Sequence, residues 1–504
     1  MSSLPVYNRP LSRPASEDVT ALRTAPPLAL APDAVLGGPP LRRAMTVVTV
    51  AWLFGSVWMH GLAGAPLTHF AAALGATNFE FGLLAAIPFV AALTSLPASI
   101  LIDRSGQRKA IFLIALYVNR LMWIPIAIAP LWIIHYYGAG QMRTAVVVFL
   151  VLLLVMNVAG AIASPAWVSW MADLVPSRLR GRYFARRRQW GILTAIPAAL
   201  IGGWALDHFA GTNASGDVLL MCATLFMIAT VFGTVDGALF HFVPHAAHPR
   251  PRQPLLRTFA GPLRNKRFVF FCGCSAILWF AIAGQGQFVN KFLIERLGVG
   301  SVAVQMIVLV GPLLATLLVL PIWGRVIDRY GKRPAMMIAI VGLVPVGFGW
   351  CFLSGGGAVV PCALLAALGA VCWTGVEVAN FNLTLEFSGT DRTGGGGGGS
   401  AYVAVHTVIV NTAGCLGGLF YGSVAEYLAD WHAVAPVLGR MSFYEVLFAI
   451  SATLRLLAIA PLMFVREPAA KPTVYALRYM VGNLYNNVVG AVMLPMRVVR
   501  RGEK

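Results

Sequence analysis

Apolar residues in this chain run in long blocks with no polar face, and short polar or basic stretches separate the blocks. The blocks lie near Ala44–Ala65, Phe79–Ile102, Ala110–Ile134, Thr144–Ala172, Gln189–Phe209 and Val218–Val243 in the first half. In the second they lie near Arg267–Val289, Ser301–Ile327, Ala335–Leu353, Ala358–Phe387, Ala401–Leu428 and Ser442–Val465. Each is long enough to cross a bilayer as a helix of about 20 residues. A helix is the form that satisfies its own backbone hydrogen bonds in lipid. The pattern therefore predicts an all-α membrane protein with about twelve transmembrane helices.

The chain also repeats itself. Ile102-Asp103-Arg104-Ser105-Gly106-Gln107-Arg108 returns 225 residues later as Ile327-Asp328-Arg329-Tyr330-Gly331-Lys332-Arg333. Tyr183, Gly203 and Asp207 return as Tyr402, Gly422 and Glu426, each 219 residues later. Two ordered matches at nearly one offset predict a duplicated six-helix unit with a site between the halves. The expected domains are a tail at 1–41, bundles at 42–244 and 267–466, a basic Pro-rich linker at 245–266, and a tail at 467–504. In that last tail Val474, Leu477, Val481, Leu484, Val488 and Ala491 recur at helical spacing, as in an amphipathic helix lying on a membrane surface.

Composition fits a chain whose main solvent is lipid. Of 504 residues, 58% are hydrophobic and 11% charged, against about 25% charged in soluble domains. The net charge of +19 sits largely in short loops, which suits anionic membrane lipid and not nucleic acid. Taking the N-terminus as cytoplasmic, the inner loops carry twenty Lys and Arg residues and the outer loops four, so both termini are expected inside. The seven cysteines fall in apolar blocks and read as small hydrophobes. No phosphate-binding loop, H-E-x-x-H zinc motif or G-x-S-x-G elbow is present, so neither an enzyme nor a nucleotide-driven pump is expected. No cofactor or metal site is expected, although His241, His245 and His248 lie close together.

The run Gly324 to Arg333 (GRVIDRYGKR) resembles a loop motif of the major facilitator superfamily, G-x-x-x-D-[RK]-x-G-[RK]-[RK]. The first copy keeps Asp103, Arg104, Gly106 and Arg108 but has Ser99 for the glycine and Gln107 for a basic residue. The resemblance covers residues 42–466 and implies two pseudo-symmetric six-helix bundles working by alternating access. It further implies a monomeric multi-pass protein of a bacterial inner membrane that moves a small-molecule solute, with protons as a candidate coupling ion. The glycines suit a turn, the aspartates can face a neighbouring helix N-terminus, and the basic residues suit headgroup level. Asp103, Arg104, Gly106, Arg108, Gly324, Asp328, Arg329, Gly331 and Arg333 are thus candidates for a gating latch.

The first, fourth, seventh and tenth spans line the cavity if the family fold holds. They offer Trp58, His60, Asn157, Gln285, Gln287, Asn290, Trp373, Glu377 and Asn380, with His406 on the eleventh span as a possible partner of Glu377. Trp167, Trp170 and Asn382 lie nearer the inner ends. Amides bond hydroxyls and indoles cover apolar ring faces, which suits a neutral polar or sugar-like solute. Glu377 is the candidate proton carrier, since a carboxyl group in a span can exchange a proton. Arg120, Asp236 and Arg455 are read as structural pairs. An efflux carrier of amphipathic compounds, and a non-transporting sensor or lipid scramblase of the same fold, remain open alternatives.

Overall fold

The computed structural model describes residues 38–209, 215–244, 260–353, 358–390, 399–435, 439–467, 470–480 and 482. The expected N-terminal tail, most of the linker, the Gly394–Gly399 loop, His245, His248, and the tail positions Val481, Leu484, Val488 and Ala491 lie outside these residues, except that Gly399 opens a helix. Among the described residues, twelve helices are long and apolar enough to span a membrane. Spans 1 to 6 are Gly38–Leu62, Asn78–Ile102, Arg108–Tyr137, Met142–Leu174, Leu179–Phe209 and Gly216–Phe242. Spans 7 to 12 are Lys266–Arg296, Ser301–Tyr330, Lys332–Phe352, Val359–Ser388, Ala401–Tyr427 and Phe443–Met463.

Local chemistry sets several ends. Thr77 and Glu80 form a capping box at the start of span 2, and Ser442 and Glu445 form another at the start of span 12. The Asn265 side chain accepts the Arg267 and Phe268 amides at the start of span 7. Gly106, at φ 66°, ends the helix before span 3 in the left-handed region where a side chain would strain the backbone. Span 1 begins at Gly38, earlier than the apolar block, because Arg42 and Arg43 are carried on its first turns. Span 5 departs most from expectation. Its helix runs unbroken over Ser177–Phe209, so Arg186, Arg187 and Arg188 sit on the helix and not in a loop.

An even number of spans puts the start of span 1 and the end of span 12 on one face, together with the two repeated loops. We call this the motif face and the opposite one the far face. The apolar core divides accordingly. Towards the far face one cluster joins both halves, from Trp58, Phe70 and Phe226 to Phe292, Tyr421 and Phe448. Towards the motif face there are two clusters, one around Phe112, Trp170 and Phe240 and the other around Phe268, Trp323 and Phe387. The halves are thus packed together at the far face and separate at the motif face.

Charges buried behind the cavity are largely structural. Arg120 donates to Asp236 at 2.8 Å, and its guanidinium lies 3.5 Å from the Trp58 ring. Arg455, the repeat equivalent of Asp236, is buried and donates to the Gln285 side-chain oxygen and, at 3.3 Å, to the Leu343 carbonyl. The same position therefore holds one member of an ion pair in the first half and an amide-bound guanidinium in the second.

Candidate functional site: a cavity between the halves

The far face is shut by two matching clasps. Asp207 on span 5 accepts the Ser301 amide at 2.6 Å and the Val302 amide at 2.9 Å, at the start of span 8. Glu426 on span 11, its repeat equivalent, accepts the Phe79 amide at 3.1 Å, at the start of span 2. A helix N-terminus has unsatisfied N–H groups and a partial positive charge, so each carboxylate is held by both. Gly203 and Gly422, one turn earlier, let the helices approach. A Cβ on Gly203 would lie 2.9 Å from the Ser301 carbonyl oxygen, and one on Gly422 would lie 2.9 Å from that of Phe79. The duplicated glycine and acid therefore form the contact surface between halves. Further bonds across the halves join Asn78 to the Ala425 carbonyl at 3.2 Å and Gln305 to that of Ala63 at 3.1 Å. His69 meets the Ser301 hydroxyl at 3.1 Å. Burial holds the His69 imidazole below its ordinary value, and the Asp207 charge opposes that shift.

At the motif face each half ties its own loop to its own fourth helix. Arg108, expected at headgroup level, is buried and paired with Asp173 at the end of span 4. In the second half Lys332 pairs with Glu386 near the end of span 10 at 2.6 Å. Glu467 caps span 9 by accepting the Lys332 and Arg333 amides at 3.1 and 2.8 Å, and the Arg333 side chain donates to the Leu462 and Met463 carbonyls. Asp328 is exposed and has no described partner. The Asp103 side chain lies outside those described. Arg104 is exposed, and Arg329 lies over the Tyr479 ring at 5.3 Å. The turns fall at Gly106 and Gly331, both with positive φ, whereas Gly324 is inside a helix and forms no turn. A motif glycine does not mark the end of its helix here, because the helix continues through it to Tyr330.

The candidate cavity is the space where the halves part, between these two separate clusters. Glu377, on span 10, is exposed and accepts the Trp373 indole N–H at 2.9 Å. Trp373 packs on Trp279 of span 7 with centroids 5.0 Å apart. Arg188 of span 5, in the other half, is within electrostatic reach of Glu377. Behind Arg188, Arg187 lies between Trp52, 4.5 Å from its guanidinium, and Trp167, 4.9 Å away. The wall thus carries indoles on both halves, with a carboxylate within electrostatic reach of a guanidinium.

Other expected cavity residues sit elsewhere. Trp58 is buried and turned towards spans 3 and 6, where Gly233 and Arg120 make room for its ring. Asn380 is buried and accepts from Ser275 at 2.8 Å. His406 is buried, stacked on Phe271 at 5.0 Å, and makes no described contact with Glu377. Gln285 is engaged by Arg455. Asn157, Asn290 and Asn382 donate to the carbonyl four residues earlier, at 2.8, 3.3 and 2.8 Å, and Asn290 is buried. His60 does the same with Ser56, at 2.9 Å, and Gln287 is half-buried. Three of these six amides are therefore spent on their own helices, because the i−4 carbonyl is a partner always within reach. Arg187, Arg188, Trp52 and Trp279 were not expected in the wall; the basic run Arg186–Arg188 between Phe184 and Trp190 is a sequence signal for the two arginines alone.

Twelve spans form two halves that are joined at one face and separate at the other, and the sequence match to a transporter family makes the chain a transporter, not an enzyme. The sequence profile of the Major Facilitator Superfamily matches residues 47–420, and the chain belongs to that family. Among solved structures it is similar to a variant of the nucleoside transporter NupG, at 15% identity and TM-score 0.60, covering 85% of this chain and 100% of that one. It is also similar to the D-xylose-proton symporter, at 14% identity and TM-score 0.59, covering 85% and 98%. The Escherichia coli fucose:proton symporter FucP aligns at 14% identity and TM-score 0.53, covering 85% and 99%. No curated protein sequence matches the chain.

Proposed function

We propose that this transporter carries a small, ring-bearing polar solute of the sugar or nucleoside kind, coupled to protons through Glu377. The observation that carries the reading is the exposed carboxylate of Glu377, which accepts from the Trp373 indole of the Trp373–Trp279 pair and lies within electrostatic reach of Arg188 of the opposite half. Indoles cover the apolar face of a ring and a carboxylate accepts from its hydroxyls. The carboxyl group is charged or neutral according to whether it holds a proton, so its attraction to Arg188 changes with protonation. That couples proton loading to how closely the halves approach. The nucleoside, xylose and fucose carriers of the same fold support a solute of this kind. The motif face is cytoplasmic in this reading, by the excess of basic residues in its loops, and the membrane is a bacterial inner membrane in which the protein acts as a monomer.

The test uses proteoliposomes and a panel of radiolabelled pentoses, hexoses and nucleosides, with and without an inward pH gradient. The wild type should accumulate a panel member only with the gradient. Glu377→Gln should lose accumulation and keep exchange of preloaded solute. Loss of both would make Glu377 a binding or structural group. Full gradient-driven accumulation in Glu377→Gln would remove it from the mechanism.

A further inference from the structure

On the motif face of the second half, the chain after span 12 folds back onto the repeated loop. The Lys471 amide donates to the Tyr330 carbonyl at 2.9 Å, and a helix follows over 473–480. Tyr479 of that helix packs on Tyr330 with centroids 5.4 Å apart. Between loop and helix lies a recess of about 450 Å³, lined by Arg329, Tyr330, Lys471, Tyr475, Arg478 and Tyr479. Three lining residues are cations, three are tyrosines, and none is a carboxylate. The nearby carboxylate Glu467 is already spent on the amides of span 9.

We propose that this recess binds the phosphate-bearing headgroup of an anionic phospholipid. Arg and Lys are the side chains that hold phosphate oxygens, Arg as a planar fork and Lys as a point charge. Arg329 and Tyr330 are the last residues of span 8, which puts the recess at the depth of the headgroups, where tyrosine is also favoured. Val474 and Leu477 of the same helix are 69% and 48% exposed, an apolar strip on which an acyl chain can lie. A soluble phosphate ion would use the cations and leave that strip in water. The bound headgroup bridges Arg329 at the end of span 8 to Lys471 and Arg478 of the tail, and so pins the tail over the helix end that carries Asp328. This site is separate from the cavity and does not depend on what the cavity carries.

The experiment is native mass spectrometry of the purified full chain with dioleoyl phosphatidylglycerol or dioleoyl phosphatidylcholine. The wild type should hold one more phosphatidylglycerol than the variant with Arg329→Gln, Lys471→Gln and Arg478→Gln. Affinity for that lipid should fall about fivefold for each cation removed, and phosphatidylcholine should not occupy the site. Arg478→Gln alone, at an exposed position, gives the same reading if the triple variant folds poorly, and Arg478→Lys should restore binding. Equal phosphatidylglycerol stoichiometry in wild type and variants overturns the site. So does equal retention of phosphatidylcholine. Inorganic phosphate protecting the tail from proteolysis as well as phosphatidylglycerol does would make the ligand a soluble anion, and overturn the lipid assignment.

Discussion

Gly82→Ala is the sharpest probe of the far-face closure. A Cβ at Gly82 would stand 2.6 Å from the Gly418 carbonyl oxygen and 2.8 Å from the Gly422 nitrogen. Both are backbone atoms of span 11, so no rotamer change can relieve the clash. Ordinary contact is about 3.5–4.0 Å, and spans 2 and 11 must part by roughly 1 Å to accept the methyl group. Overpacking of this kind costs about 1–3 kcal/mol. The cost falls on the far-closed state alone, since spans 2 and 11 separate when the far face opens. The equilibrium should therefore move towards the far-open state by about 5- to 150-fold. Spin labels at Gly140→Cys and Asp430→Cys, both in exposed far-face loops, report the change by electron–electron dipolar spectroscopy. Cys415→Ala removes the one cysteine that is not buried. Gly82→Ala should shift weight to longer distances, while Gly61→Ala, where a Cβ meets nothing within 4 Å, should leave the distribution alone. A Gly82→Ala distribution that superimposes on the wild type would refute the argument.

Two further outcomes follow from the same geometry. The half-buried His69 binds a proton less readily than an exposed imidazole does, so far-face closure is full above about pH 6.5 and weakens as pH falls through that value. The Gly140–Asp430 label pair should show more long distances at pH 5.5 than at pH 7.5, and His69→Gln should flatten that dependence; a pH profile unchanged by His69→Gln would clear this histidine. Asp236→Asn leaves Arg120 buried without its counter-charge, a loss of about 3–5 kcal/mol that a lowered melting temperature in detergent should register, and Arg120→Met with Asp236→Leu should recover part of it.

Hydropathy made the twelve spans legible, because a lipid-facing helix must be apolar along its whole length. The duplication was legible too, and it pointed to Gly203, Asp207, Gly422 and Glu426. Their role was not, since the amides they accept lie 94 and 347 residues away on helices of the opposite half. The cavity was read less well for a physical reason. A polar residue in a span can bond its own helix, as Asn157 and Asn382 do, or a neighbour, as Asn380 does, so polarity does not reveal which way it points. Glu377 stood out because a carboxylate has no N–H to give the i−4 carbonyl. Arg187 and Arg188 were hidden by their own company. A run of basic residues reads as a loop, but here the helix had already begun at Ser177.

The two clasps sit on opposite flanks of the molecule, one joining spans 5 and 8 and the other spans 2 and 11. A panel fastened along two parallel seams lifts straight off only when both let go together. With one seam cut, it swings on the other like a door on its hinge. Removing Asp207 alone or Glu426 alone should therefore produce a tilted, lopsided opening, with a crevice on the cut side and the other flank still shut. Such a crevice would admit solute by a route that the paired seams normally deny, and a carrier built to exchange could begin to leak.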